Sequence, residues 1–248
     1  MVARWSPIVE RDVTAPGFPP GGPILVIAPH PDDESLGCGG LIAAALRHGE
    51  RVHTVFVTDG GASHRNSREW PRSRLAACRE TEASEALRRL GANGLDQSFL
   101  RLPDAGMPAA GSADYRAARD KLVAILGDLL PKLVLLPWRR DPHRDHRDSW
   151  TLAMDSLSAA GQAPDILEYA IWLDEIGSEE DRPRDGEMER ISFDIANEVS
   201  TKRHAVRAHL SQLGGLITDD ATAFALSEQT IERLTGPQEI YWRPCKSG

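Results

Sequence analysis

The chain alternates short apolar runs with longer amphipathic stretches over most of its length. The apolar runs predict buried strands at 23–29, 52–57, 98–102 and 133–136. Between them, apolar positions recur at helical spacing and predict helices at 37–48, 72–90 and 113–130, with a further helix after His146. This alternation predicts an α/β fold: three layers, with a mostly parallel, Rossmann-like sheet covered by helices on both faces.

The second half of the chain continues the pattern less regularly. Apolar runs predict three more strands, at 166–172, 191–195 and 239–242, and residues 199–212 are predicted to form a helix. The first 22 residues are mostly polar and end in a run rich in proline and glycine. We therefore expect an N-terminal arm over 1–22 and a single domain over 23–248.

Charged residues follow the first predicted strand directly. His30, Asp32, Asp33 and Glu34 come after the apolar run 24–28. Open α/β sheets bind their ligands at the carboxyl ends of parallel strands, and buried charges are costly unless they are paired or bind a metal. Aspartates are also common helix N-caps, so this cluster alone fits a capped turn equally well.

A second charged cluster follows the fourth predicted strand, and it disfavours the capped-turn alternative. Its residues are Asp141, His143, Asp145 and His146. Both clusters are expected at the same edge of the sheet, where they can meet. Imidazole and carboxylate together suit zinc, and iron(II) also accepts such ligands.

Three of these side chains could supply the ligands of a catalytic zinc site, namely His30, Asp33 and His146. Asp32 would then remain free as a general base. Spacing alone does not decide which histidine and which aspartate bind the metal.

The two clusters resemble a known pair of motifs. Residues 30–34 (HPDDE) and 143–146 (HRDH) are similar to the signature of the PIG-L/LmbE-like deacetylases, and the resemblance extends from about residue 23 to 212. It implies an LmbE-like fold and a zinc-dependent enzyme that removes acetyl groups from N-acetylglucosamine-type sugars. The expected partner is then a small N-acetyl sugar or glycoconjugate.

The resemblance also implies roles for individual residues. His30, Asp33 and His146 match the metal ligands, and Asp32 matches the general base. His143 matches the residue that stabilises the oxyanion or acts as the acid.

Other positions carry weaker expectations. By the same resemblance, Asp145 would orient His143 and stabilise its charge. Asp141 stands where some relatives have a tyrosine, so we expect it near the substrate. His64 and Arg68 lie in a polar loop at the same edge of the sheet and are also candidates for substrate binding. Loops 60–71 and 103–112 are expected to wall the site.

Composition limits which molecules the protein is expected to bind and where in the cell it is expected to be. The net charge is −8 and the pI about 5.5, which argues against nucleic acid as a partner. No apolar stretch approaches the roughly 20 residues that span a bilayer, and no signal peptide is visible. Three widely separated cysteines without a Cys-x-x-Cys pair indicate a reduced, cytoplasmic protein.

Two alternatives to sugar deacetylation stay open. The same site could hydrolyse a non-sugar amide, or the chain could be a non-catalytic module that binds a metal or a nucleotide. The glycines at 37, 39 and 40 lack the G-x-G-x-x-G spacing of a dinucleotide-binding loop. The presence of both Asp32 and His143 also argues against a module without catalysis.

Overall fold

The computed structural model describes residues 11–12, 21–94 and 96–245. The strands are β1 Arg11–Asp12, β2 Ile24–Ala28, β3 Val52–Thr58, β4 Gln97–Leu102, β5 Leu133–Pro137, β6 Asp165–Tyr169, β7 Met188–Asp194 and β8 Gln238–Pro244. The helices are α1 Asp33–Arg47, α2 Arg72–Leu90, α3 Ala113–Leu129, α4 Arg144–Ala160, α5 Leu173–Ile176, α6 Val199–Val206 and α7 Glu228–Leu234. Short 3₁₀ turns cover Glu179–Asp181 and Leu210–Gln212.

The described strands form one sheet in the order β1-β7-β8-β6-β5-β2-β3-β4. From β6 to β4 every neighbouring pair is parallel, whereas β8 runs antiparallel to both β6 and β7. Strand β2 pairs with β3 on one side and with β5 on the other. The winding therefore reverses between β2 and β5, which is where such sheets open a crevice for ligands.

Both faces of the sheet are buried, as a parallel sheet requires. In β2, Ile24, Val26 and Ala28 pack with α1, α2 and α6, while Leu25 and Ile27 pack with α3 and α4. The predicted three-layer, mostly parallel α/β fold is confirmed.

Several element boundaries differ from the predicted ones. Helix α1 begins at Asp33, four residues before the predicted start, so that Asp33 and Glu34 form its first turn, where acidic groups suit the helix dipole. Helix α4 begins at Arg144 rather than after His146. The predicted helix 199–212 is interrupted, because α6 ends at Val206 and only a 3₁₀ turn follows.

Some of the remaining helices and strands match the sequence prediction closely, and others were not predicted. Helix α2 has the predicted bounds and ends at Gly91, whose φ of 106° favours glycine. The strand predicted at 166–172 ends earlier than expected, at Tyr169. The short elements β1, α5 and α7 were not predicted, because they contain too few residues to show a period.

The predicted N-terminal arm lies mostly outside the described residues. Within it, Arg11–Asp12 pairs in parallel with β7, and Gly21 and Gly22 precede β2. The boundary between the arm and the domain stays a prediction. Among the described helices, none combines the length and apolarity needed to cross a bilayer.

A buried ion pair fastens α1 to the last strand. The Glu239 carboxylate accepts hydrogen bonds from the backbone N–H groups of Gly40 and Leu41, at 2.7 and 2.9 Å. Lys202 Nζ lies 2.6 Å from the same carboxylate. Since α1 carries Asp33 in its first turn, this anchor helps to fix the position of the charged cluster.

Helix α1 also packs so closely that one of its glycines has no room for a side chain. A Cβ atom at Gly40 would lie 2.5 Å from Ile195 Cδ1, whereas one at Gly127 in α3 would meet nothing within 4 Å. We expect Gly40→Ala to lower the free energy of unfolding by about 1–3 kcal/mol through overpacking. Gly127→Ala should raise it by up to about 1 kcal/mol, because alanine favours the helix.

Urea unfolding of both variants measures this difference. Because each substitution adds one methyl group inside a helix, the difference between the two variants reports the effect of close packing on stability. Equal shifts of the same sign would contradict the close packing of α1 on Ile195.

Candidate functional site

A cavity of about 580 Å³ lies over the carboxyl ends of β2 and β5, within the size range of small-molecule sites. Its floor includes His30, Asp32 and Asp33 from the first charged cluster and His143 from the second. The two predicted clusters therefore meet at the point where the winding of the sheet reverses.

Two buried histidine rings converge on one carboxylate oxygen of a buried aspartate. Asp33 Oδ2 lies 3.2 Å from His30 Nδ1 and 3.3 Å from His146 Nε2. It also accepts the backbone N–H of His30, at 2.9 Å. The three residues proposed from the sequence as metal ligands are thus brought together.

His146 shows that this cluster suits a cation. Both of its ring nitrogens are buried, and neither has a hydrogen bond of acceptable geometry to any described residue. Buried polar atoms are nearly always bonded. Because Nδ1 faces the Asp141 carboxylate at 3.5 Å, Nε2, which lies 3.3 Å from Asp33, is the nitrogen left to face a cation. Imidazole nitrogen and carboxylate oxygen are donors that zinc and iron(II) accept.

Two further groups of potential ligand atoms surround His30. Atoms of His30, His143 and His146 all lie within 4.8 Å of one another, and so do atoms of His30, Asp104 and Asp145. The structure thus contains His/Asp clusters that could hold a metal ion.

Asp104 was missed in the sequence analysis. Its Oδ1 lies 3.3 Å from His30 Nε2, and its Oδ2 accepts the backbone N–H of Ala62, at 2.7 Å. The available signal was its position, because it follows the third predicted strand at the same edge of the sheet.

The charges in this cluster are strongly coupled. Burial alone would lower the pKa of His146, but Asp33 and Asp141 raise that pKa to about 9. Burial likewise opposes the charge of His30, yet contacts with Asp104, Asp145 and Asp33 raise its pKa well above the usual value. Protons and a divalent cation would therefore compete for these side chains.

Asp32 faces the cavity beside this cluster, and it is paired with Arg79. Arg79 Nη2 lies 2.9 Å from Asp32 Oδ2, and the same guanidinium donates to the carbonyl oxygens of Pro31 and Gly60. Burial raises the pKa of Asp32 to about 6, although Arg79 acts in the opposite direction. A carboxylate that titrates near neutrality is suited to accept a proton.

His143 caps helix α4 and lines the cavity. Its Nδ1 accepts the backbone N–H of Asp145, at 3.3 Å, and its ring stands edge-on to that of His30, with centroids 4.8 Å apart. Burial, together with the nearby His30 and His146, lowers the pKa of His143 to about 4. Asp145 acts in the opposite direction and favours the charged ring.

The expected role of Asp145 in orienting His143 is met only in part. Its backbone N–H contacts His143, but its carboxylate lies 3.2 Å from His30 Nε2 and accepts the N–H of Ala105, at 2.7 Å. The Asp145 carboxylate therefore supports His30, while its charge acts on His143 from a distance.

Asp141, expected near the substrate, does not line the cavity. Its side chain is fully buried and lies outside the cavity lining. The carboxylate accepts the backbone N–H groups of His143, Ile171 and Trp172, and it lies 3.5 Å from His146 Nδ1. Asp141 thus orients His146 and the chain beyond β6.

The other two substrate candidates also lie outside the lining of the cavity. His64 is buried and lines a smaller neighbouring pocket, and Arg68 is exposed, with its backbone N–H bonded to Asp219. Both predicted loops do contribute to the wall, through residues that the sequence did not single out: Ala62, Ser63, Arg65 and Asn66 from the first, and Asp104 and Ala105 from the second.

The opposite wall comes from segments that the sequence analysis did not assign to the site. Its lining residues are Trp172, Glu175, Ile176, Gln212, Asp220, Thr222 and Phe224. Gln212 is positioned through Ser211, because its Nε2 donates to Ser211 Oγ at 2.9 Å, and Glu82 accepts hydrogen bonds from both the backbone and the hydroxyl of Ser211.

The two walls are joined by hydrogen bonds that we call the loop clasp. Asp219 Oδ2 accepts the backbone N–H groups of Arg68 and Glu69, at 2.8 and 3.0 Å. Asp220 Oδ2 accepts the backbone N–H of Asn66, at 2.8 Å. The clasp therefore fixes loop 60–71 against a segment more than 140 residues away in sequence.

Comparison with proteins of known structure or curated function agrees with this geometry. A 1D-myo-inositol 2-acetamido-2-deoxy-alpha-D-glucopyranoside deacetylase of Rhodococcus jostii is 29% identical over 268 positions, covering 88% of this chain and 90% of that protein. The solved N,N'-diacetylchitobiose deacetylase of Pyrococcus horikoshii matches with a TM-score of 0.63 and 27% identity, covering 81% of this chain and 74% of that one.

A third likeness concerns the fold alone. A solved 4-carboxy-2-hydroxymuconate hydratase of Pseudomonas putida has a TM-score of 0.61 and 22% identity, covering 77% of this chain and 80% of that one. The same architecture thus also supports another reaction.

A sequence model of a known protein family also matches this chain. The model described as PIG-L, GlcNAc-PI de-N-acetylase, matches residues 25–157. That segment spans more than half of the 248 residues and contains both charged clusters. This chain therefore belongs to the PIG-L family.

Proposed function

We propose that this protein is a metal-dependent hydrolase that removes the acetyl group from an N-acetylated amino sugar or glycoconjugate. The observation that carries the proposal is the convergence of His30, Asp33 and His146 beside Asp32 on the floor of the cavity. The names of the relatives support it, because both deacetylases described above act on acetamido sugars or their oligomers.

His30, Asp33 and His146 are the residues that would hold the metal, and zinc is the ion we propose, with iron(II) as the alternative. A bound divalent ion supplies Lewis acidity, which polarises an amide carbonyl and makes water more acidic. Asp141, held by backbone N–H groups, keeps His146 oriented from its far side.

Asp32 is the group we propose to take the proton from water. Its carboxylate lines the cavity, and Arg79 holds it in one orientation through a guanidinium that is itself fixed by two carbonyl oxygens. The pKa of about 6 leaves the carboxylate mostly ionised at neutral pH and still basic enough to accept a proton.

His143 is the group we propose to stabilise the oxyanion. Because its Nδ1 accepts the N–H of Asp145, the neutral ring carries its proton on Nε2. That proton can be donated to negative charge that develops on the acetyl oxygen. The Asp145 carboxylate favours the positive charge that the ring carries when it is protonated, before it passes a proton to the leaving amine.

The three widely separated cysteines, without a Cys-x-x-Cys pair, support a cytoplasmic location for this activity.

Acetate release from a panel of substrates tests the proposed reaction. We expect the zinc-loaded protein to release acetate from N-acetylglucosamine or its glycosides, with kcat/KM at least about tenfold above that for N-acetylated amino acids, because a sugar fills more of the cavity. Faster turnover of the amino acids would favour a non-sugar amidase. Sugar binding without acetate release would favour a non-catalytic module.

A further inference from the structure

We propose that an apolar subsite at the mouth of the cavity binds an uncharged alkyl or aryl aglycone of the N-acetylated sugar. We call this surface the aglycone subsite, and it is formed by Trp172, Ile176 and Phe224. The inference rests on the proposed function and adds a substrate class to it: glycosides with an apolar group, rather than free sugars or glycosides with a charged one.

Two of the five large apolar side chains that are exposed among the described residues line the cavity. Ile176 is 67% exposed and Phe224 is 38% exposed, and both line the cavity. The rings of Trp172 and Phe224 meet edge-on, with centroids 5.4 Å apart. Exposed apolar surface that is contiguous and adjoins a polar site is typical of ligand binding.

The backbone holds these side chains in place before any ligand arrives. The N–H of Trp172 donates to the buried Asp141 carboxylate, and the N–H of Phe224 donates to the carbonyl oxygen of Ser63. Ile176 belongs to α5 and donates to the carbonyl oxygen of Trp172. A preformed apolar surface costs little conformational entropy on binding, so its burial contributes directly to affinity.

The charges around the subsite favour an uncharged occupant. Glu175 lies beside Ile176 and is paired with Arg233, at 2.9 Å. Asp220 accepts N–H groups from Asn66 and Thr222 as part of the opposite wall. Arg65, which also lines the cavity, donates to the carbonyl oxygen of Ala62, at 3.3 Å. Each of these charged groups therefore has a partner, and an alkyl or aryl group would cover apolar surface without displacing any of these interactions.

The floor of the cavity is polar and its mouth is apolar. This difference assigns the apolar group of the substrate to the aglycone. The floor consists of buried polar side chains, His30, Asp32, Asp33 and Asp104, with Leu36 as its buried apolar neighbour. Such a floor suits a short acyl group such as acetyl. The apolar surface lies at the exposed mouth, where the part of the substrate remote from the amide would extend.

Matched glycosides test the inference. We expect kcat/KM for the butyl and phenyl β-glycosides of N-acetylglucosamine to exceed that for the methyl glycoside by about tenfold, mainly through KM, because the larger aglycones bury additional apolar surface. Phe224→Ser and Ile176→Ser should each reduce this ratio at least about threefold.

A matched control and a second measurement make the test decisive. Leu216→Ser changes a side chain that is 43% exposed but does not line the cavity, and it should leave the ratio unchanged. Equal kcat/KM for the three glycosides would overturn the aglycone subsite while leaving the deacetylase intact. A preference for N-octanoyl over N-acetyl substrates that Phe224→Ser removes would also overturn it, by assigning the subsite to the acyl chain.

Binding separates the inference from the proposed function. If none of the sugars is hydrolysed, the proposed function fails, and calorimetry with the methyl and phenyl glycosides then decides the inference alone. Tighter binding of the phenyl glycoside that Phe224→Ser weakens supports the aglycone subsite. Equal binding of the two glycosides overturns it.

Discussion

Replacing Asp32 with asparagine is expected to lower kcat by about 10²- to 10⁴-fold, the range associated with loss of a general base. An amide cannot take a proton from water at neutral pH. The substitution should leave the fold intact, because Arg79 keeps its hydrogen bonds to the carbonyl oxygens of Pro31 and Gly60. Steady-state assays together with metal analysis of the purified variant measure the two effects separately.

The matched control is Asp128→Asn, which removes the same charge from the exposed face of α3. It should retain wild-type kcat and metal content. If Asp32→Asn keeps normal activity, Asp32 is not the base. If it loses activity only because it no longer binds metal, its role is structural rather than catalytic.

Replacing His146 with alanine is expected to abolish the stabilisation that zinc gives to the folded protein. At a free zinc concentration about a thousandfold above Kd, binding to the native state alone stabilises it by about 4 kcal/mol. His146 offers two buried ring nitrogens without a hydrogen-bond partner among the described residues, so the variant should lose most of that increment. Thermal unfolding with added zinc and with a chelator measures it without reference to catalysis.

The control separates the possible ligand sets. His204→Ala removes an exposed imidazole from α6 and should keep the full zinc effect. Asp104→Asn tests the neighbouring group of His30, Asp104 and Asp145. If the zinc effect survives His146→Ala but disappears with Asp104→Asn, the metal is held by that second group.

The layered architecture was predictable because local patterns of apolar residues indicate each strand and helix. Strand β2 is five apolar residues buried on both faces, and helix α2 shows a regular apolar stripe that ends at a glycine. The start of α1 was less predictable, because acidic residues suit both a metal site and a helix N-terminus. Asp33 does both at once, as it opens the helix and contacts two histidines.

The floor of the site was largely visible in the sequence, but its walls were not. Strand ends are fixed by the sheet, so the two charged clusters had to meet once the topology was known. The direction of a side chain in an irregular loop depends on tertiary contacts. The sequence therefore favours His64 and Arg68 as candidates, although the cavity is lined by Arg65 and Asn66.

Asp141 shows a different limit of the sequence. The resemblance places it where some relatives have a tyrosine, and therefore near the substrate, yet it is fully buried beneath His146. Only the packing of the chain after β6 against this carboxylate, through the N–H groups of Ile171 and Trp172, determines its environment. Burial of that kind is a property of the assembled fold.

The loop clasp separates the parts of loop 60–71 that must be kept from those that are free to diverge. Asp219 and Asp220 bind the backbone of this loop, and every residue except proline presents the same N–H group. The side chains at 68 and 69 can therefore be exchanged while the clasp is maintained. Evolution, or a designer, can change the chemical character of the surface beside the cavity without redesigning the loop that carries it.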